Sequence, residues 1–271
     1  MGMGCTTRRL PFFGRRSAGA AAFLMHIPKT AGTSLLALVE REYDRDDHCA
    51  IYPGWPEARG DVVGFAASRG GIRAVIGHFA YGLHEDPSLR PLLPPRPAYA
   101  TILRDPARRV VSLYNYVAAS DLPAHRAIVA DHPTLEGFLD HPWARDAQAA
   151  FLLGDPPPAE EPEAALVARL ACDFAAVGLA ERFDESVVLI ASTFGWRLDR
   201  RVAPRNVGRP SPGRLRFEDL DDRLVGRIRE ANRLDQFAHN FARDGFDARC
   251  AAVPGFRRRL ERYRRAPALS D

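Results

Sequence analysis

The stretch that most constrains the fold is Phe23-Leu24-Met25-His26-Ile27-Pro28-Lys29-Thr30-Ala31-Gly32-Thr33-Ser34, which runs directly into Leu35-Leu36-Ala37-Leu38-Val39-Glu40. An apolar run of strand length stops at Pro28, turns through small and hydroxyl-bearing residues, and resumes with helical apolar spacing, which predicts strand, loop, helix. Such a loop makes an anion site. The first-turn N–H groups of the helix lack internal partners, and the macrodipole adds about half a positive charge there. Lys29 supplies a mobile point charge, Gly32 allows close backbone approach, and Thr30, Thr33 and Ser34, with Ala31 between them, supply hydroxyl donors. The loop departs from the nucleotide-triphosphatase pattern G-x-x-x-x-G-K-[ST], because its Lys precedes its one glycine and no glycine opens it. Read by itself, the segment is also compatible with an ordinary turn between a strand and a capped helix.

Two further stretches carry chemistry. Tyr99 to Leu103 predicts a strand bounded by Pro97 and Pro106. At its end Arg104 can fork onto a phosphate, Asp105 is placed as a helix N-cap, and Pro106 takes the first helical position. Val110, Val111 and Tyr114 then share an apolar helix face, with Ser112 two turns in. A surface ion pair for Arg104 and an ordinary polar helix position for Ser112 are the plain alternatives. Upstream, Ile72 to Gly82 predicts a short strand delivering His78 at its C-terminal end, where ligands gather in a parallel sheet. A histidine among aromatics is also a common structural residue, and His84 is a second candidate.

Taken in order, these motifs resemble the carbohydrate sulfotransferases related to heparan sulfate 2-O-sulfotransferase, which use 3′-phosphoadenosine 5′-phosphosulfate (PAPS). His26 to Ser34 is similar to that family's 5′-phosphosulfate loop. Residues 100–116 are similar to its 3′-phosphate segment, with Arg104 and Ser112 in place. Gly77-His78-Phe79 resembles the Gly-His segment whose histidine is the family's proposed catalytic base. Shorter similarities follow: Gly178 to Phe183 matches Gly-x-x-Glu-x-Phe through Glu181, and Arg205 to Ser211 resembles the late loop over the adenosine end. Asn232, Asp235 and Phe241 match a terminal Asn-x-x-Asp segment. The chain departs at Gln148-Ala149-Ala150, where family members often carry Gln-Thr-Arg near the acceptor.

The resemblance covers roughly residues 22 to 246 and implies an α/β, P-loop-like three-layer fold with a central parallel sheet flanked by helices. It implies PAPS as donor, held by Lys29, Thr30, Ala31, Gly32, Thr33, Ser34, Arg104, Ser112, Asn206 and Arg209, with His78 and Lys29 catalytic and no metal. The acceptor is then a hydroxyl of a glycan or small molecule.

The chain of 271 residues, 46% hydrophobic and 27% charged, suits one globular domain, placed at residues 20–250. A basic N-terminal arm (1–19) precedes it and a basic tail (251–271) follows. The formal charge of +4 is compatible with anionic ligands without deciding for them. The absence of a long apolar run predicts no transmembrane segment. Nothing repeats, and no alternation of aromatic and basic residues points to nucleic acid. Four widely spaced cysteines without C-x-x-C or Cys/His metal spacing predict free thiols in a cytoplasmic setting. Two rival functions keep the same loop: a nucleotide kinase or other phosphoryl transferase, which needs Mg²⁺, and a non-catalytic nucleotide-binding module.

Overall fold

The computed structural model describes residues 21–52, 59–69, 72–93, 97–155, 157–158, 161–202 and 213–269. Asn206 and Arg209, both expected at the donor site, lie outside these residues, as does residues 1–19. At the centre is a five-stranded sheet of β1 (Ala22–Met25), β2 (His48–Ile51), β3 (Ala74–Gly77), β4 (Ala98–Leu103) and β5 (Phe174–Leu179). Every pairing is parallel, in the order β2-β3-β1-β4-β5. The near-continuous apolar sequences of β1, β3, β4 and β5 are what strands covered on both faces require. Phe23, Phe79 and Tyr99 meet edge to face beneath the sheet's ligand end, with Phe23 5.9 Å from Phe79 and 5.2 Å from Tyr99.

The strand order decides where a ligand can bind. Chain direction takes β1 outward to β2 and back to β3 on one side, then across to β4 on the other, so β1 lies at the topological switch point. Loops at the C-terminal ends of strands flanking such a point leave a crevice. The loop after β1 opens into it, and helix α1 (Gly32–Glu42) follows.

Helix α2 (Arg59–Arg69) joins β2 to β3, and α3 (Pro106–Ala118) leaves β4 as the sequence predicts. Asp105 caps α3 by accepting a hydrogen bond from the Arg108 N–H at 3.0 Å, with Pro106 at its first position. Then come α4 (Pro123–Asp131), α5 (Leu135–Phe138), α6 (Ala147–Leu153), α7 (Pro162–Ala168) and α8 (Phe183–Phe194). The last helices are α9 (Asp222–Glu230), α10 (Arg233–Ala251) and α11 (Phe256–Arg265). Asp184 sits one residue inside α8, where it pairs with Arg201 at 3.0 Å and Arg264 at 3.4 Å. The basic segment 251–271 contains α11, whose Leu260 and Tyr263 are buried; the Tyr263 hydroxyl accepts from the Val202 N–H at 3.0 Å. Its arginines line the outer face. No helix among the described residues is long and apolar enough to cross a membrane.

A buried polar seam ties α10 to the crevice. Asn232 accepts from the Asp146 N–H at 3.0 Å and donates to the Ala144 carbonyl at 2.8 Å. Asp235 accepts from the Ala149 N–H at 2.7 Å and faces Arg109 at 3.7 Å, both side chains fully enclosed. Burial pushes the Asp235 carboxyl upward while the Arg109 charge pulls it down.

Candidate active site

The loop after β1 holds two non-glycine residues in the left-handed region, Lys29 at φ 71° and Ala31 at φ 76°. Each costs about 1–2 kcal/mol relative to ordinary backbone. Left-handed residues in a loop that leads into a helix N-terminus are the backbone feature from which anion-binding concavities are built. The loop is braced beneath: Thr30 donates both its N–H and its hydroxyl to the Ile27 carbonyl, at 3.3 and 2.8 Å. Gly32 and Thr33 open α1, where N–H groups have no acceptor within the helix.

Gly32 is required by contact. A Cβ there would lie 1.7 Å from Cδ2 of His26, so the histidine ring occupies the space a side chain would need. Gly77 plays the same part on β3: at φ 151° its would-be Cβ meets the Ile51 carbonyl oxygen at 2.2 Å. Only glycine lets β2 approach this closely, and the approach brings the His78 N–H to that carbonyl at 3.0 Å.

His78 then donates through Nδ1 to the carbonyl of His26 at 2.7 Å. A carbonyl only accepts, so the proton of the neutral ring is on Nδ1 and Nε2 keeps its lone pair. Burial lowers the His78 pKa, partly opposed by that hydrogen bond. His26 is pushed down to about 3 by burial, then by the neighbouring His78 and Lys29. Its Nδ1 shares a 2.6 Å hydrogen bond with the Tyr52 hydroxyl, and the Tyr52 ring stands edge-on to His78 at 4.9 Å. Three rings thus fix one another at the end of β1, β2 and β3.

Lys29 is the only lysine in the chain; every other residue among the 38 basic ones is arginine. Its ammonium rests over the Tyr116 ring, 4.4 Å from the centroid. Burial, then Arg104 and Arg214, lower its pKa. Arg104 is placed by its backbone and its fork. Gln148 accepts from the Arg104 N–H at 2.8 Å and donates to its carbonyl at 2.9 Å, while Nη1 of Arg104 donates to the Lys29 carbonyl at 3.1 Å. Gln148 is wholly buried. Here it braces Arg104 and does not face a ligand.

These residues surround one cavity of about 980 Å³, lined by His26, Lys29, Ala31, Gly32, Thr33, Tyr52, His78, Arg104 and Ser112 among others. Of the sequence-derived candidates, Thr30 and Ser34 lie buried under the loop, outside that lining. His84 is elsewhere, its Nδ1 hydrogen-bonded to the Tyr99 hydroxyl at 2.8 Å.

The far wall was not legible in the sequence. Asn115 on α3 exchanges two hydrogen bonds with the backbone of Leu215, donating at 2.9 Å and accepting at 3.0 Å. That clamp brings Arg214 and Arg216 to the cavity, facing Lys29, Arg104 and Arg108. Arg108 is paired with Glu218 at 2.8 Å. Glu181 accepts from the Asp105 N–H at 2.8 Å and lies 3.4 Å from His239; burial opposes its ionisation, but these hydrogen bonds together hold its carboxyl below the usual range. An enclosure with more guanidinium and ammonium groups than carboxylates suits a ligand with several negative charges, and its volume suits a nucleotide together with a second small molecule.

Comparison with known proteins agrees in kind. The galactose-3-O-sulfotransferase family matches residues 66–266, well over half of the chain and beginning after the β1 loop. Galactose-3-O-sulfotransferase 3 of Mus musculus is 32% identical over 163 residues, covering 54% of this chain and 37% of the relative. The Homo sapiens protein of the same name is 33% identical over 143 residues, 47% of this chain and 32% of its own length. Galactose-3-O-sulfotransferase 2 of Sus scrofa is 35% identical over 152 residues, 50% and 36% of the two chains. The matched region spans about a third of each of these curated relatives. The motifs resemble the heparan sulfate 2-O-sulfotransferase group, whereas the matching family is a different one; what the two have in common is carbohydrate sulfation. By the extent of that match, the chain belongs to the galactose-3-O-sulfotransferase family.

Proposed function

We propose that the protein is a PAPS-dependent sulfotransferase acting on a hydroxyl of a galactose-containing carbohydrate, through a P-loop-like phosphate loop after β1. The observation that carries this reading is the convergence of Lys29, Arg104, Ser112 and an Nε2-unprotonated His78 on one cationic cavity. The names of its relatives, galactose-3-O-sulfotransferases, support the sugar.

The residues present fit such a donor. Burial, then the neighbouring Arg104 and Arg214 charges, lower the Lys29 pKa, and anionic groups relieve that crowding. Lys29 and the loop N–H groups hold the 5′ end, Arg104 and Ser112 the 3′-phosphate, with Asn206 and Arg209 assigned to the adenosine end. The donor supplies an already activated sulfuryl group. Nε2 of His78 takes the proton of the acceptor hydroxyl as its oxygen bonds to sulfur and the sulfur–oxygen bond to the phosphate breaks; the ammonium of Lys29 stabilises the charge left on that phosphate. General-base help of this kind contributes about 10²–10⁴ in rate, or roughly 3–5.5 kcal/mol.

The test is transfer of labelled sulfate from PAPS to methyl β-galactoside and lactose, with adenosine triphosphate offered as rival donor and a chelator present. Sulfate transfer insensitive to the chelator is expected. Phosphate transfer from the triphosphate, dependent on Mg²⁺, would establish a kinase instead, and tight nucleotide binding without either transfer would establish a binding module.

A further inference from the structure

One surface continues from the cavity and is used by none of the chemistry above. Tyr116 is four residues beyond Ser112 on α3, so both lie on the same helix face and both line the cavity. From the Tyr116 ring the path runs to His125 on α4 at 5.4 Å, from His125 to Trp143 at 5.9 Å, and from Trp143 to His141 at 5.2 Å. Tyr116 is 50% exposed and Trp143 44%, whereas His125 between them is 7% exposed. Among the described residues, the other large hydrophobic side chain left this exposed is Leu122, which leads into the same α4. In a chain that buries Trp196 and leaves none of its phenylalanines exposed among the described residues, two exposed rings joined through a third mark a contact surface.

The backbone under Trp143 is fixed. Its N–H donates to Nδ1 of His141 at 3.2 Å, and its carbonyl accepts from the enclosed Arg109 at 3.1 Å. The Tyr116 ring is likewise occupied on one face by the Lys29 ammonium. A rigid aromatic surface with polar edges suits a sugar: pyranose C–H groups lie on the rings, and ring hydroxyls reach the neighbouring polar atoms.

We propose that the exposed rings of Tyr116 and Trp143, held together by the buried His125 between them, form an acceptor platform, seating the sugar that follows the galactose being sulfated. This rests on the reading of the cavity as a carbohydrate sulfotransferase site. Continuity selects the occupant: the platform starts at a cavity-lining ring, Tyr116, in contact with Lys29, and leads outward in steps that a short oligosaccharide can span. A monosaccharide in the cavity does not reach Trp143; a disaccharide or longer acceptor extends toward it.

The experiment uses the full chain with methyl β-galactoside and lactose as probes, comparing wild type with Trp143→Ala and Trp143→Phe. Three readouts are taken: kcat/KM for sulfate transfer to each sugar, the change in tryptophan emission on adding lactose, and affinity for adenosine 3′,5′-bisphosphate. Wild type is expected to prefer lactose, and Trp143→Ala to lose about tenfold of that preference through KM, with bisphosphate affinity retained and Trp143→Phe close to wild type. If the alanine variant unsettles the fold, Trp143→Gln serves in its place, with the same loss expected. An unchanged preference in a folded variant overturns the platform. So does a shift in sedimentation from dimer to monomer without loss of lactose binding, which would make the patch a contact between copies. Lactose binding that needs Trp143 in a wild type unable to transfer sulfate upholds the platform and defeats the assigned activity. Transfer to both sugars with the ratio untouched by Trp143→Ala does the reverse.

Discussion

The Nδ1 proton of His78 is given to the carbonyl oxygen of His26 across 2.7 Å, and this single bond orients an imidazole that lines the cationic cavity and keeps its Nε2 lone pair. Beside it, Gly77 lets β2 and β3 approach closely, and the His26 ring fills the space a side chain at Gly32 would need. Burial lowers the His78 pKa from the ordinary imidazole value. Turnover should therefore stay level as pH falls from about 8 through about 6.5 and decline only in more acidic solution. A pH–rate profile with its acidic midpoint above about 6.5 would contradict a buried, neutral base.

His26 gives a stability prediction with a defined window. Its pKa is about 3 in the folded chain and about 6.5 unfolded. The unfolded state thus binds the extra proton first on acidification. Stability from this group is complete above about pH 6.5 and is lost toward pH 3, by at most about 1.4 kcal/mol per pH unit. Urea unfolding at several pH values, compared with His26→Phe, should show the slope fall by one proton. Gly32→Ala, whose new methyl strikes the same ring, should cost about 1–3 kcal/mol at neutral pH. A neutral Gly32→Ala would mean the ring is not held there.

The sole lysine makes the donor site directly observable. Reductive methylation with ¹³C-formaldehyde should give one side-chain signal besides the terminal amine, and its titration should lie below that of an ordinary lysine because of burial and the Arg104 and Arg214 charges. Adding adenosine 3′,5′-bisphosphate should raise that pKa, since an anion favours the ammonium. A signal indifferent to the nucleotide would remove Lys29 from the site.

Gln148 and Asp235 should behave as supports. Asp235→Ala leaves the enclosed Arg109 without its counter-charge and should cost about 3–5 kcal/mol. Gln148→Leu strips the Arg104 backbone of two partners. It should weaken bisphosphate binding together with stability, and leave the choice between galactosides as it was. A change in sugar preference with normal donor affinity would return Gln148 to the acceptor.

What was legible in the sequence was local. The apolar run into Pro28, the Asp105-Pro106 start of α3 and the run Ile72 to Gly82 each carry their signal within a few residues; β1 and α3 form there, and β3 forms over the shorter Ala74–Gly77, with His78 just beyond its end. β2 escaped because it is an edge strand that sets half-buried His48 and exposed Ala50 against buried Cys49 and Ile51, directly after a charged segment. α2 escaped because Gly60 and Gly64 interrupt its pattern. Tyr52 reaches His26 from the end of β2, and Leu215 reaches Asn115 from a hundred residues away. No periodicity announces such pairings. The solitary Lys29 could have been found by counting.

The most direct test of the account is His78→Ala, measured for both bisphosphate affinity by calorimetry and sulfate transfer from PAPS to lactose. His78 lines the cavity but offers the donor no charge, so donor affinity and melting should stay close to wild type while turnover falls at least about 10²-fold. Normal turnover in the variant, or loss of folding in place of loss of rate, would contradict a catalytic His78.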